Sequence, residues 1–214
     1  MSSPGDGAAA EAEGAAVEAA RRRGEAALAG HSGDEPVARS LLGDPDAGVR
    51  ATALGALVRM SAATAADAAA ALADPDATVR RYACELGAAL PGAELALLLR
   101  DFDDAVVEAA CFATGEVRDP GAVPALVEIA RSHDDALCRE SAVASLGAIG
   151  DRRGLPAIIA ALEDKPQIRR RAAVALAAFD DPDAEAALRR CLEDPDWQVR
   201  QAAEDVLGVT GSDD

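Results

Sequence analysis

The stretch Asp44-Pro45-Asp46-Ala47-Gly48-Val49-Arg50 decides how the chain is read. It returns as Asp74-Pro75-Asp76-Ala77-Thr78-Val79-Arg80 and as Asp194-Pro195-Asp196-Trp197-Gln198-Val199-Arg200. Repetition at a fixed period takes precedence over other signals because it marks one structural unit copied along the chain. With the apolar residue of the segment as anchor, the series becomes Val49, Val79, Val106, Cys138, Ile168 and Val199, spaced 30, 27, 32, 30 and 31 residues apart.

From each anchor, small or apolar residues recur at offsets of three, four, eight and eleven. The first copy has Thr52, Ala53, Leu57 and Met60, and the fourth has Ser141, Ala142, Leu146 and Ile149. That is the spacing of one buried helical face. Asp44, Asp74 and Asp194 are expected to cap free backbone N–H groups, with Pro45, Pro75 and Pro195 at the first helical position. Asp46, Asp76 and Asp196 add negative charge at the positive end of the helix dipole. Shorter helices lie between these, clearest over 119–129 and 154–162, with Gly115, Gly147 and Gly150 expected to supply the turns.

A helical hairpin with two apolar faces cannot bury both alone, so neighbours must stack. The expected fold is all-α: a right-handed α-solenoid of about six short hairpins over residues 34–209. Residues 8–33 read as a degenerate N-terminal capping helix with Val17 and Leu28 on its inner face, and residues 1–7 and 210–214 as disordered ends.

Composition agrees with thin helical layers. Half of the 214 residues are hydrophobic and only 2% are aromatic, so the core is built from Ala, Leu and Val. A net charge of −17 repels phosphate backbones, which disfavours nonspecific nucleic-acid binding. Lys165 is the single lysine among 21 basic residues, a bias expected of a GC-rich genome or a salt-adapted, halophilic cytoplasm. Cys84, Cys111, Cys138 and Cys191 form no CxxC pair and read as small buried apolar residues. No apolar run reaches the roughly 18 residues of a membrane span, and residues 1–14 lack a basic start followed by an apolar run. A cytoplasmic monomer is the expectation.

The helix beginning Ala122-Val123-Pro124-Ala125-Leu126, the Asp-Pro turn and the Val-Arg-x-x-Ala helix together resemble the HEAT repeat family, in its short phycobilisome-lyase-like form. The resemblance covers about residues 34–209. It implies a hydrogen-bonded Asp–Arg ladder between repeats, matched here by Asp44 and Arg50, Asp74 and Arg80, and Asp194 and Arg200. Asp101 is followed by Val107 in place of Arg, while His133 and Glu163 replace the Asp beside Arg139 and Arg169. The ladder is therefore expected to weaken in the middle of the stack.

Enzymes exist on this architecture. HEAT-like deoxyhypusine hydroxylases hold a di-iron centre through repeated His-Glu pairs, but His31 is followed by Ser32 and His133 by Asp134. Glycosylases of this type grip DNA with basic concave surfaces, which this acidic chain lacks. No catalytic, cofactor-binding or metal-binding set is expected. The expected function is that of a noncatalytic scaffold or adaptor binding a protein or peptide on its concave face, with a bilin-lyase-like or other protein-modifying subunit as the alternative. Arg21, Arg22 and Arg23 read as a solvated helix face, and Arg169, Arg170 and Arg171 as a small basic spot. Candidate partner-binding residues, at offsets two and six from the anchors, are Arg81, Glu85, Glu108, Phe112, Glu140, Arg170, Gln201 and Asp205. Trp197 joins them as an aromatic anchor, or else covers the C-terminal apolar end.

Overall fold

A computed structural model describes residues 4–208, with side chains described from residue 11 onward. Every regular element among the described residues is helical. The chain divides into two compact units, Met1–Glu94 and Leu95–Asp214.

The first unit contains α1 (Pro4–Ser32), α2 (Glu35–Ser40), α3 (Ala47–Arg59), α4 (Ala65–Leu72) and α5 (Ala77–Leu86). Here α2 pairs with α3 and α4 with α5, while α1, α3 and α5 lie side by side. The second unit opens with a 3₁₀ segment, Leu95–Arg100, that packs on α6 (Asp104–Glu116). It continues through α7 (Val123–Ser132), α8 (Ala136–Ile149), α9 (Leu155–Ala160), α10 (Pro166–Leu176), α11 (Pro182–Cys191) and α12 (Trp197–Leu207). Here α6, α8, α10 and α12 stack in order as one layer, and the shorter helices form the other.

The anchors Val49, Val106, Cys138, Ile168 and Val199 are all fully buried. Offsets four, five, seven and eight are buried with them in α8, as Ala142, Val143, Ser145 and Leu146, and in α10, as Ala172, Ala173, Ala175 and Leu176. Each long helix therefore buries one side against its own hairpin partner and another against its neighbours in the layer. Offsets three and eleven are only half-buried at Thr52, Met60, Ser141 and Ile149. Fully burying each Leu or Ile is worth about 1.5–3 kcal/mol.

The capping chemistry is displaced by two residues from the expectation. Helices α3, α5 and α12 begin at Ala47, Ala77 and Trp197, with Asp46, Asp76 and Asp196 as the side-chain caps. Asp44, Asp74 and Asp194 are otherwise engaged, each accepting the N–H two residues on, at 2.8–2.9 Å, and accepting an arginine from the preceding repeat. The prolines accordingly sit in the turn before the cap and not inside the helix.

The ladder runs between repeats. Arg50 donates to both oxygens of Asp74 at 2.8 and 2.7 Å and to the carbonyl of Asp44 at 2.8 Å. Arg169 does the same with Asp194 at 2.8 Å twice and with Asp164 O at 3.0 Å. Arg80 and Arg200 each donate to their own repeat's Asp carbonyl, at 2.8 and 2.7 Å. Contrary to expectation, the ladder holds at Arg139, which donates to Asp164 at 2.7 and 3.0 Å and to His133 O at 2.7 Å. Asp164, one residue past Glu163, supplies the carboxylate. His133 fits for two reasons: the contact with Arg139 uses its carbonyl, and its Nδ1 accepts the Asp135 N–H at 3.2 Å as an Asp would. Within the second unit, Val107 is fully buried and supplies no rung toward His133.

The N-terminal helix also departs from its expected register. It begins at Pro4, inside the stretch expected to be disordered; residues 1–3 and the tail 210–214 lie outside the described residues. Val17 and Leu28 are 67% and 66% exposed, whereas Ala19, Ala26 and Ala29 are buried. Small residues face α3 because the helices approach closely. A Cβ built on Gly30 would stand 2.9 Å from the Cβ of Ala56. Arg22 is not a solvated residue but a ladder member, donating to Asp44 at 2.6 and 3.1 Å.

Gly115 and Gly147 are likewise not turn residues. They lie within α6 and α8, where an added Cβ would meet Ser145 Cα and Ala175 Cα, each at 2.9 Å. The turn after α8 is made by Gly150, whose φ of 69° is the left-handed conformation that glycine adopts freely.

Candidate protein-binding face

Offsets two and six project away from both buried sides, so their side chains make up the free surface of the long-helix layer. On α5 the pair is Arg81 and Glu85, both exposed and bonded to each other at 2.7 Å. In the second unit the same offsets give Glu108 and Phe112 on α6, Glu140 and Ala144 on α8, Arg170 and Val174 on α10, and Gln201 and Asp205 on α12. Phe112 is 60% exposed.

Four of the expected partner-binding residues come together in a shallow groove of about 700 Å³ between α10 and α12: Arg170, Trp197, Gln201 and Asp205. Arg171, Val174 and Gln198 line it too, with Ala177, Ala202 and Val206. Trp197 is the first residue of α12, is 64% exposed and lines the groove. Val174, 48% exposed, is the second large apolar group there that is left in water. Val174 shares the offset of Phe112, so the repeat register alone would have nominated it. Arg171, at offset three, is reached only by a contact that sequence cannot supply, its Nη2 donating to Glu140 across to α8 at 3.5 Å.

The electrostatics of the face are uneven. Gln201 donates to Asp205 at 2.9 Å, and Glu140 is engaged by Arg171. Among the described residues neither Glu108 nor Arg170 forms an ion pair. The ladder carboxylates belong to a different edge: the Arg22 guanidinium holds Asp44 below the usual carboxylate range, as Arg139 does for Asp164 and Arg169 for Asp194. Those groups are used up by folding.

A second cavity, of about 460 Å³, lies where the rung is missing, with Val107 and His133 in its wall beside Asp104 and Glu128. His133 Nε2 stands 3.9 Å from Asp104 Oδ1. No group of three or more His, Cys, Asp or Glu among the described residues is placed to hold a metal ion. All four cysteines are buried. Burial, with the Asp135 charge nearby, pushes the Cys138 thiol up to about 12, so it stays protonated and unreactive at neutral pH. No helix among the described residues is long and apolar enough to cross a membrane.

A family model for HEAT repeats matches residues 93–175 and 155–214. No curated protein matches the chain. Among solved structures, a designed armadillo repeat protein in complex with the peptide (KR)4 superposes with a TM-score of 0.62 at 16% identity, over 81% of this chain and 98% of that one. A second engineered protein gives 0.58 at 19% identity, over 82% and 95%. The complex of CpcE and CpcF of phycocyanin lyase from Nostoc sp. gives 0.56 at 25% identity, over 81% and 76%. The two designed proteins bear on the fold alone, which they share as α-solenoids.

Proposed function

The chain belongs to the HEAT repeat family, and from that premise we propose that it is a noncatalytic scaffold or adaptor that holds a protein partner on the free face of its long helices. The observation that carries this reading is the groove between α10 and α12. It gathers Trp197 and Val174, two large apolar groups left in water, with Arg170, Gln201 and Asp205 around them. An exposed aromatic anchor ringed by polar groups is the arrangement that concentrates binding energy in protein interfaces. The groove is open and shallow, suited to a surface or segment more than to an enclosed small molecule.

The single tryptophan makes the test direct. Affinity-tagged chain is used to capture partners, alongside a Trp197→Ala/Val174→Ser variant. The reading expects a stoichiometric protein that the variant loses and whose addition shifts the Trp197 emission to the blue. Capture that is undiminished in the variant removes this groove from the reading.

A second reading, a subunit of a bilin-lyase-like or other protein-modifying enzyme, draws support from the likeness to the phycocyanin lyase complex. It predicts that a captured protein changes in mass, or acquires a chromophore, when the chain is present. The scaffold reading predicts no change in either.

A further inference from the structure

The free face carries two charges of opposite sign at the same offset: Glu108 on α6 and, two helices further along the layer, Arg170 on α10. Among the described residues neither has an ion-pair partner. The intervening Glu140 is already engaged by Arg171. One turn beyond each unpaired charge stands an exposed apolar group, Phe112 after Glu108 and Val174 after Arg170. Two rows thus cross the layer one helical turn apart: Glu108, the engaged Glu140 and Arg170 in one, and Phe112, Ala144 and Val174 in the other. We propose, building on the scaffold reading, that this face selects an extended partner segment of bipolar charge: one basic residue over Glu108, one acidic residue over Arg170, and apolar residues between them.

The separation sets the spacing of that segment. Adjacent packed helices lie roughly 8–10 Å apart, so α6 and α10 are separated by roughly 16–20 Å. An extended chain rises about 3.3 Å per residue and covers that distance in five or six residues. Successive side chains of an extended segment alternate sides, so apolar residues between the two charges reach Phe112 and Val174. An all-acidic segment meets Glu108 unfavourably, and an all-basic segment meets Arg170 unfavourably. The selectivity lies in this second, repulsive half.

Three fluorescein-labelled synthetic peptides of equal length test this, each with two charged residues six positions apart and leucine and tyrosine between them. One carries Lys and Glu, one Lys and Lys, one Glu and Glu. Titrated with the full chain and followed by anisotropy, the Lys/Glu peptide is expected to bind at least about fivefold more tightly than either of the others. Arg170→Glu should transfer the preference to the Lys/Lys peptide and Glu108→Arg to the Glu/Glu peptide. Arg131→Glu, an exposed charge change on α7, should leave the order unchanged. Equal affinities, binding of none of the three, or an order that the two swaps leave untouched overturns the proposal. In that event, a native partner still lost from the Trp197→Ala/Val174→Ser variant leaves the scaffold reading standing, and a partner retained by it sinks both.

Discussion

Replacing glycine by alanine inside a helix has an intrinsic sign, and the way these helices pack predicts where that sign reverses. In an exposed helix interior the change stabilises by about 1 kcal/mol, because alanine loses less backbone freedom on folding. Gly24 in α1 is such a site, with nothing within 4 Å of an added Cβ. Gly24→Ala should therefore stabilise by about that amount. Gly147 in α8 offers the same propensity gain, but its Cβ would stand 2.7 Å from the Cβ of Ala175, 2.9 Å from its Cα and 3.3 Å from its carbonyl oxygen. These are backbone-fixed atoms of the neighbouring α10, so relief requires moving a whole helix that also packs on α12. Overpacking of this kind costs roughly 1–3 kcal/mol. Taken at its upper end and offset by the propensity gain, it leaves Gly147→Ala about 2 kcal/mol less stable than the parent. Urea unfolding followed by far-UV circular dichroism reads both variants, and with a typical dependence on denaturant the Gly147→Ala midpoint should fall by roughly 1 M. A Gly147→Ala protein as stable as Gly24→Ala would refute the claim that α8 and α10 touch through their backbones.

The ladder makes three further predictions. Arg139→Met removes a half-buried bidentate pair together with the bond to His133 O, and should cost about 2–3 kcal/mol, whereas Arg81→Met, which loses only an exposed pair, should cost less than about 0.5 kcal/mol. Chemical denaturation of the two variants side by side measures the contrast. Installing the missing rung with Val107→Arg and His133→Asp together should stabilise by about 1 kcal/mol, while Val107→Arg alone, which sets a guanidinium against an imidazole, should destabilise; a double-mutant cycle gives the coupling. On acidification, the lowered values of Asp44, Asp164 and Asp194 mean that their contribution is fully present above the ordinary carboxylate value of about 3.9. It is lost as pH falls through their lower folded values, so the unfolding midpoint should hold steady at about pH 5 and drop steeply below about pH 4; a midpoint that rises on acidification would contradict the ladder geometry.

The period and the anchors were legible because burial repeats and is enforced at every copy. What misled was local chemistry with two possible uses. Two aspartates stand two residues apart before α3, α5 and α12, and sequence alone does not say which one caps; the choice is made by an arginine arriving from another repeat, as Arg50 reaches Asp74. Arg22 was obscured for the same reason, since its partner Asp44 is 22 residues away. A signal was present: the ladder arginines Arg50, Arg139 and Arg169 precede their aspartates by 24 or 25 residues, close to that separation. Gly115 and Gly147 were read as turn residues because glycine favours turns, yet a glycine at offset nine in two copies is equally the mark of close helix approach.

The face that binds is hard to read for a reason built into the repeat. The anchor and offsets four, five, seven and eight are committed to burial, offset one to the ladder and offset nine, in α6 and α8, to backbone approach. Offsets two and six lie outside the buried sides and the ladder, so they need not repeat, and they do not: Glu108, Glu140, Arg170 and Gln201 at one, Phe112, Ala144, Val174 and Asp205 at the other. Where the fold imposes no period, a residue's identity reflects what the surface must meet, and periodicity is blind to it. It follows that partner choice and stability are separable in this chain. Exchanging Glu108 and Arg170 should alter what binds while the unfolding midpoint stays within about 0.5 kcal/mol of the parent, the range of surface substitutions that touch no buried partner.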